Sequence, residues 1–258
     1  MRLATFNILH GRSLEDDRVD VARYADAIAS LDADVVALQE VDRSQERSAR
    51  ADLTAVAAGA LRADEHRFVA ALSGTPGATW MAATGAEQPD EAAYGIALLS
   101  RLPVRSWEVV RLPSVPCTVP VVLPGRRRPT LVRDEPRVAV VAVVEDPATG
   151  RCVTVAGTHL SFIPGWNTWQ LRRLVRTLRR CPAPVVLMGD LNLEAEAVRR
   201  STGMRSLVRA DTFPAHAPQR QLDHVLVGGD STRPLRVLDA GARRLPLSDH
   251  LALTVDLA

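Results

Sequence analysis

The sequence predicts an α/β fold built as a single domain over residues 1–258, and two observations carry that expectation. First, two segments follow the same order of strand, helix, strand. Second, near-continuous apolar runs at 34–38, 138–144 and 185–188 read as strands covered on both faces, because a strand with one wet face would alternate. A chain of 258 residues is long enough to bury a large core in one such domain.

The first segment runs from a strand at 3–8 (LATFNI) to a strand at 34–41 (DVVALQEV), with a helix between them. Val21, Tyr24, Ala25, Ile28 and Leu31 recur there at helical spacing. Strands follow at 94–101 (YGIALLSR) and 137–146 (RVAVVAVVED). The Pro-rich stretch 111–136, with its run Arg126, Arg127, Arg128, reads as a long surface loop. The second segment starts at 151–160 (RCVTVAGTHL). It continues through a helix with Leu171, Leu174, Val175 and Leu178 on one face and ends at 183–192 (APVVLMGDLN). Further strands are expected within 221–230 and 248–257, with polar residues at their starts. The two halves share no detectable sequence identity, yet each ends its first strand in a polar residue (Asn7; His159) and its second in a carboxylate (Glu40; Asp190). Their strand ends are therefore expected to converge on one cleft.

Composition narrows the class. Hydrophobic residues make up 47% and charged residues 24%, an ordinary soluble balance. Every basic residue is Arg, and the formal charge is only +2, so nothing in the overall charge demands a polyanionic partner. Cys117, Cys152 and Cys181 are odd in number and lack a CxxC pair, which argues against a disulfide framework or a thiolate zinc site. No signal peptide or membrane span is read, so a cytoplasmic, monomeric enzyme is expected.

Asn7, Glu40, His159, Asp190, Asn192, Asp223, Asp249 and His250 all lie at or beside strand ends. These residue types suit a phosphate handled with a hard divalent cation. Mg²⁺ prefers carboxylate oxygens and keeps water positions open for substrate. It polarises a phosphoryl oxygen, while histidines and amides donate to oxygens that gain charge. No Ser or Cys sits beside a base as a nucleophile would, so attack by water is the simpler reading. In GDLN, Gly189 is expected to turn the chain just before Asp190 and Asn192. No HxxxH cluster is present, which disfavours a zinc hydrolase.

The ordered motifs TFNI, LQEV, GIALLSR, GTHL, GDLN, LDHVLV and SDH resemble the endonuclease/exonuclease/phosphatase superfamily across residues 4–250. The resemblance, together with the strand pattern, implies a four-layer α/β/β/α sandwich of two mixed sheets with helices outside. It further implies Mg²⁺ (or Mn²⁺) held by Glu40, with Asn7 and Asp249, and a catalytic group of His159, Asp190, Asn192, Asp223 and His250. Asp190 would align or deprotonate the water, with the His250–Asp223 pair as the other candidate base. Arg137 would lie beside the phosphate, with Tyr94 and His10 as further cleft residues. In place of the Arg that such proteins often carry in the helix after THL, this chain has Asn167 and Gln170. His224 reads as structural, and Trp169 as helix packing.

The expected function is a divalent-metal-dependent phosphodiester hydrolase with a phosphate-ester substrate, nucleic acid among the candidates. The alternatives are a phosphatase or phospholipase acting on small esters or lipid head groups, and a non-catalytic scaffold that keeps the fold. The arginines at 172–180 alternate with the apolar helix face and read as a solvated surface rather than a nucleic-acid groove. The apolar stretch 115–125 is the one candidate for a lipid-facing hairpin.

Overall fold

The computed structural model describes residues 1–122, 128–147, 149–229 and 234–258. In the first half these form β1 (Arg2–Asn7), α1 (Val21–Ala29), β2 (Val35–Arg43), α2 (Leu53–Leu61), β3 (Glu65–Gly74), β4 (Trp80–Ala82), β5 (Ala93–Ser100) and β6 (Val104–Leu112). A short hairpin follows, β7 (Thr118–Val121) and β8 (Thr130–Arg133). The second half holds β9 (Arg137–Asp146), β10 (Arg151–His159), α3 (Trp166–Leu178), β11 (Val185–Asp190) and α4 (Ala195–Thr202). It ends with β12 (Arg205–Ser206), β13 (Asp223–Gly228), β14 (Val237–Arg243) and β15 (Ala252–Leu257).

One sheet has seven strands in the order β14-β15-β1-β2-β5-β3-β4, the other six in the order β12-β13-β11-β10-β9-β6. Each contains one parallel pair, β1 with β2 and β10 with β11, and the remaining pairs are antiparallel. These parallel pairs are the two strand-helix-strand units of the sequence, since a parallel neighbour needs a crossover helix. α1 supplies the first, capped by Asp20, whose side chain accepts from the backbone N–H of Ala22 and Arg23. α3 supplies the second.

Three apolar clusters define the layers. Leu3, Val35, Ala37 and Leu98 of one sheet meet Val140, Val155, Val186 and Met188 of the other between the sheets. Phe6, Val36 and Leu38 pack outward under Tyr24 and Ile28 of α1 and Leu53 and Leu61 of α2. Ala156, Val185 and Leu187 pack outward under Leu171, Leu174 and Leu178 of α3 and Val198 of α4. Central strands therefore bury both faces, which is why their sequences do not alternate. The result is the four-layer α/β/β/α sandwich of two mixed sheets.

The region 111–136 departs from the expected loop. β6 continues to Leu112 and β7 pairs with β8 in a separate two-stranded hairpin. Pro120 lies within β7, tolerated because the hairpin has only two strands and Pro can keep to an edge. Arg126, Arg127 and part of the 115–125 stretch lie outside the described residues; Arg128 is exposed. The arginines at 172, 173, 176, 179 and 180 are exposed, as the solvated-face reading expected. No helix is long and apolar enough to cross a membrane among the described residues. The three cysteines are free.

Candidate active site

The second parallel pair sets the register of the site. His159 at the end of β10 stands opposite Asp190 at the end of β11, and Asp190 stands opposite Asp223 at the start of β13. Three chemistry-bearing side chains thus occupy one face at one sheet end, because residues in register point the same way. Gly189 makes this close pairing feasible. Its φ is +144°, and a Cβ there would lie 1.9 Å from the carbonyl oxygen of Thr158. The expected turn at Gly189 is not formed: Gly189 remains inside β11, and the chain bends only after Asp190, through Asn192 at φ +49°.

In the other sheet, Asn7 pairs with Gln39, so Glu40 falls one residue past the register of its counterpart. The β2–β5 ladder slips between Leu38 and Val41, and Glu40 itself has φ +58°. That bulge re-aims the Glu40 carboxylate into the cleft, a common use of bulges at sites.

Asn7 joins the two sheets. Its Nδ2 donates to Glu40 Oε1 and to Asp190 Oδ2, each at 3.1 Å, and its Oδ1 accepts from the Leu9 N–H at 3.1 Å. Asp190 Oδ1 accepts from the backbone N–H of Asn192 at 2.9 Å. Asp190 Oδ2 also lies 3.6 Å from His159 Nε2 and 3.8 Å from His250 Nε2. It is the focus of the site.

The two histidines differ in charge. A guanidinium can only donate, so Arg137 Nη1, 3.2 Å from His159 Nδ1, requires that nitrogen to accept. Burial, then Arg137, then His250 hold the His159 pKa well below its ordinary value. His159 is therefore neutral and presents Nε2–H to the cleft. Next to it Asn192 Nδ2 donates to the Leu160 carbonyl at 3.0 Å. His250 is the opposite case. Burial opposes its charge, but Asp223, at 2.8 Å from Nδ1, with Asp190 and Asp249, raises its pKa to about 10. It is an imidazolium whose Nε2–H faces Asp190. Phe213 packs its ring 4.9 Å from that of His250.

Carboxylate repulsion is the other feature. Burial first, then Asp223, pushes the Asp190 pKa up to about 7, against the opposing charge of His250. Burial and then Asp249 also raise Glu40, although Asn7 lowers it. Asp223 Oδ1 is buried without a hydrogen-bond partner. Glu40, Asp190, Asp223 and Asp249 outnumber the cations Arg137 and His250, and all their donor atoms are oxygens. That donor set fits a hard divalent cation. Asp190, Asp223 and His250 bring ligand atoms within 4.8 Å of one another, but a protonated His250 has no lone pair to offer. The Glu40 side of the cleft suits a cation better.

Arg137 is buried, with Nη2 3.5 Å from Glu135 and Nε unpartnered. Tyr94 is buried, with its pKa raised by burial and then by Glu40, which places it beside that carboxylate. His10 follows Asn7 by three residues. It lies buried near Arg47 and Arg12, with Nδ1 unpartnered and a pKa lowered to about 4, chiefly by burial. Asn167 donates to the Asn192 carbonyl at 2.9 Å, and Gln170 accepts from Ser161 N–H at 2.8 Å, so both support the loops beyond β10 and β11. His224 is structural, its Nε2 2.7 Å from the Leu193 carbonyl oxygen. Trp169 is not buried in helix packing: it is 40% exposed, stacked on Trp166 with ring centroids 4.5 Å apart.

Two residues were missed. Arg47 forms a bidentate pair with buried Asp42, both bonds 2.8 Å, and lies 5.6 Å from the Tyr94 ring centroid on the Glu40 side. Ser248, at φ +71°, donates its hydroxyl to the Asn7 carbonyl at 2.6 Å and accepts from His250 N–H at 3.0 Å. It ties the SDH loop to β1. A Ser immediately before Asp-His was the only available signal for it.

Known structures share this architecture. An endonuclease/exonuclease/phosphatase from Beutenbergia cavernae aligns with a TM-score of 0.67 at 24% identity, covering 100% of this chain and 71% of that one. The Bacteroides thetaiotaomicron mannosyl-6-phosphatase Bt3783 aligns at 0.65 and 15% identity, covering 100% and 99%. D. rerio TDP2 complexed with a single-strand DNA product aligns at 0.65 and 14% identity, covering 100% and 98%. At these identities the likeness concerns the fold. No curated protein gives a significant sequence match. The family model described as Endonuclease/Exonuclease/phosphatase family, however, matches residues 4–250, and the chain belongs to that family.

Proposed function

We propose that the protein is a divalent-metal-dependent phosphoesterase that hydrolyses a phosphate ester by in-line attack of water. The observation that carries this reading is the convergence on Asp190 Oδ2 of Asn7 Nδ2 at 3.1 Å, His159 Nε2 at 3.6 Å and His250 Nε2 at 3.8 Å. A carboxylate among N–H donors is the arrangement needed to hold a water against a phosphoryl group.

In this reading Asp190 aligns the water and takes its proton. Its pKa near 7 makes it a better base at neutral pH than an ordinary carboxylate. Neutral His159, cationic His250 and the Asn192 amide bind the phosphoryl oxygens. Asp223 keeps His250 charged and oriented. Arg137 fixes the His159 tautomer. Glu40 and Asp249 would hold Mg²⁺ or Mn²⁺, with Asn7 positioning Glu40; when bound, the ion would neutralise charge developing on phosphorus oxygens. The solved relatives support phosphate esters as a class, since one is a sugar-phosphate phosphatase and another was solved with a DNA product.

A substrate panel tests the reading. Plasmid, single-stranded DNA, hexose phosphates, inositol phosphates, sphingomyelin and chromogenic diesters would be assayed with Mg²⁺, with Asp190→Asn as control. Hydrolysis of at least one ester, lost in the variant, is expected. Failure to hydrolyse any of them, or equal rates in the variant, would overturn it.

A further inference from the structure

We infer that a cavity adjoining the phosphoryl site is a subsite for a flat aromatic ring carried by the substrate; this deepens the phosphoesterase reading and rests on it. The cavity has a volume of about 590 Å³ and is walled by Trp80, Leu131, Val132, Arg133, Glu135 and Phe162, with the turn at 77–79 at its rim.

Two of the chain segments that build the phosphoryl site, those of His159 and Arg137, lead into this cavity. Phe162 follows His159 by three residues. Arg133 and Glu135 precede Arg137, and Glu135 faces Arg137 at 3.5 Å. Asp134, 1% exposed, clamps the two segments together by accepting from the Ser161 hydroxyl at 2.6 Å and from Val115 N–H at 3.0 Å. The wall therefore has a fixed place relative to His159 and Arg137. Glu135 is the link between cavity and site: it lines the cavity and lies 3.5 Å from Arg137, which itself lies 3.2 Å from His159.

The chemistry of the walls selects a ring. The Arg133 guanidinium lies over the Trp80 ring, 4.6 Å from its centroid, so this wall offers an indole and a guanidinium together. Phe162 is 36% and Leu131 72% exposed, large apolar surfaces left uncovered beside a polar site. Planar π-faces stack on aromatic and guanidinium planes regardless of their substituents. A long acyl chain would gain little from the Arg133 and Glu135 end, where it would displace water from charged groups and offer them no polar contact. A nucleobase and a simple aryl group share the chemistry, and the test separates them.

Binding of monoester probes and turnover of diester probes would be measured in parallel. The probes are 1-naphthyl, methyl and decyl phosphate and a pyrimidine nucleoside 5′-monophosphate, titrated by calorimetry. The diesters share a 4-nitrophenolate leaving group and carry naphthyl, methyl or nucleoside 5′ groups. The wild type is expected to prefer naphthyl over methyl by about tenfold or more in both assays, a stacking-sized effect. Trp80→Ala and Phe162→Ala should reduce that preference to under about twofold while leaving the methyl ester's turnover in place, and Trp80→Phe should retain most of it. Whether the nucleoside gains as much as naphthyl identifies the ring's source. Equal affinity for naphthyl and methyl phosphate in the wild type, tighter binding of decyl phosphate, or an undiminished preference in both variants would overturn the inference. If no diester turns over, the catalytic reading fails, and the calorimetric arm still decides the subsite.

Discussion

The amide nitrogen of Asn7 lies 3.1 Å from Asp190 Oδ2, a hydrogen bond between residues 183 apart in the chain that joins the two sheets at the candidate site. The same nitrogen reaches Glu40 Oε1 at 3.1 Å, so one side chain sets the spacing of the two carboxylates assigned to metal and water. Replacing Asn7 with Ala should therefore lower turnover by about 10²-fold, as for loss of a pre-organised donor. Steady-state assays of a chromogenic diester would show it; an unchanged rate would mean that Asn7 organises nothing.

Asp190 is held at the expense of stability. Burial, then Asp223, raises the folded carboxyl's pKa to about 7 from an ordinary 3.8. Between these values the unfolded chain binds fewer protons, so stability falls as pH rises through that window. Asp190→Asn has no charge to bury. In chelator at pH 8 its Tm should exceed the wild type's by about 2–5 °C. A lower Tm would show that Asp190 ionises without strain.

His250 Nδ1 lies 2.8 Å from Asp223 Oδ2, and in the proposed reading the two act as one unit. Ala at either position should cost about 10²–10³-fold in kcat, and the double variant little more than either single one, because each removal disables the same imidazolium. Multiplying losses in the double-mutant cycle would separate the two residues.

Arg137 acts on His159 through the tautomer. In Arg137→Met the aliphatic volume is kept and the donor to Nδ1 is lost, so both tautomers become available. Expected results are a fall of about tenfold or more in kcat/KM and a change in the ¹⁵N shifts of the His159 ring. Wild-type shifts in the variant would remove Arg137 from this role.

Gly189 has no room for a methyl group, since its Cβ would meet the Thr158 oxygen at 1.9 Å. Gly189→Ala should destabilise the fold by on the order of 3 kcal/mol, read from denaturant midpoints. A midpoint equal to the wild type's would show that the β10–β11 pair can relax.

What sequence could disclose followed the physics of each position. His159 and Asp190 stand out because a polar or charged group ends an apolar strand, and Glu40 because it follows an apolar run, although β2 continues past it to Arg43. A both-faces-buried strand leaves a signature in composition. Edge strands β6 and β14 are half wet and lack it. α2, apolar nearly all round in LTAVAAGAL, shows no helical period for the opposite reason. Arg47 was hidden among the arginines of RSQERSAR, because only the fold shows that Asp42 anchors it over Tyr94. Trp80 and Phe162 come together from segments 82 residues apart, a proximity that local patterns do not encode.

The role proposed for Asp190 is to direct water at phosphorus in a metal-dependent site. Its most direct test is the rate of hydrolysis of a chromogenic phosphodiester by wild type and Asp190→Asn, each in Mg²⁺ and in excess chelator. Turnover by the wild type is expected only with the cation, with a loss of roughly 10³-fold or more in the folded variant. Full wild-type activity in chelator, or a variant as fast as the wild type, would contradict it.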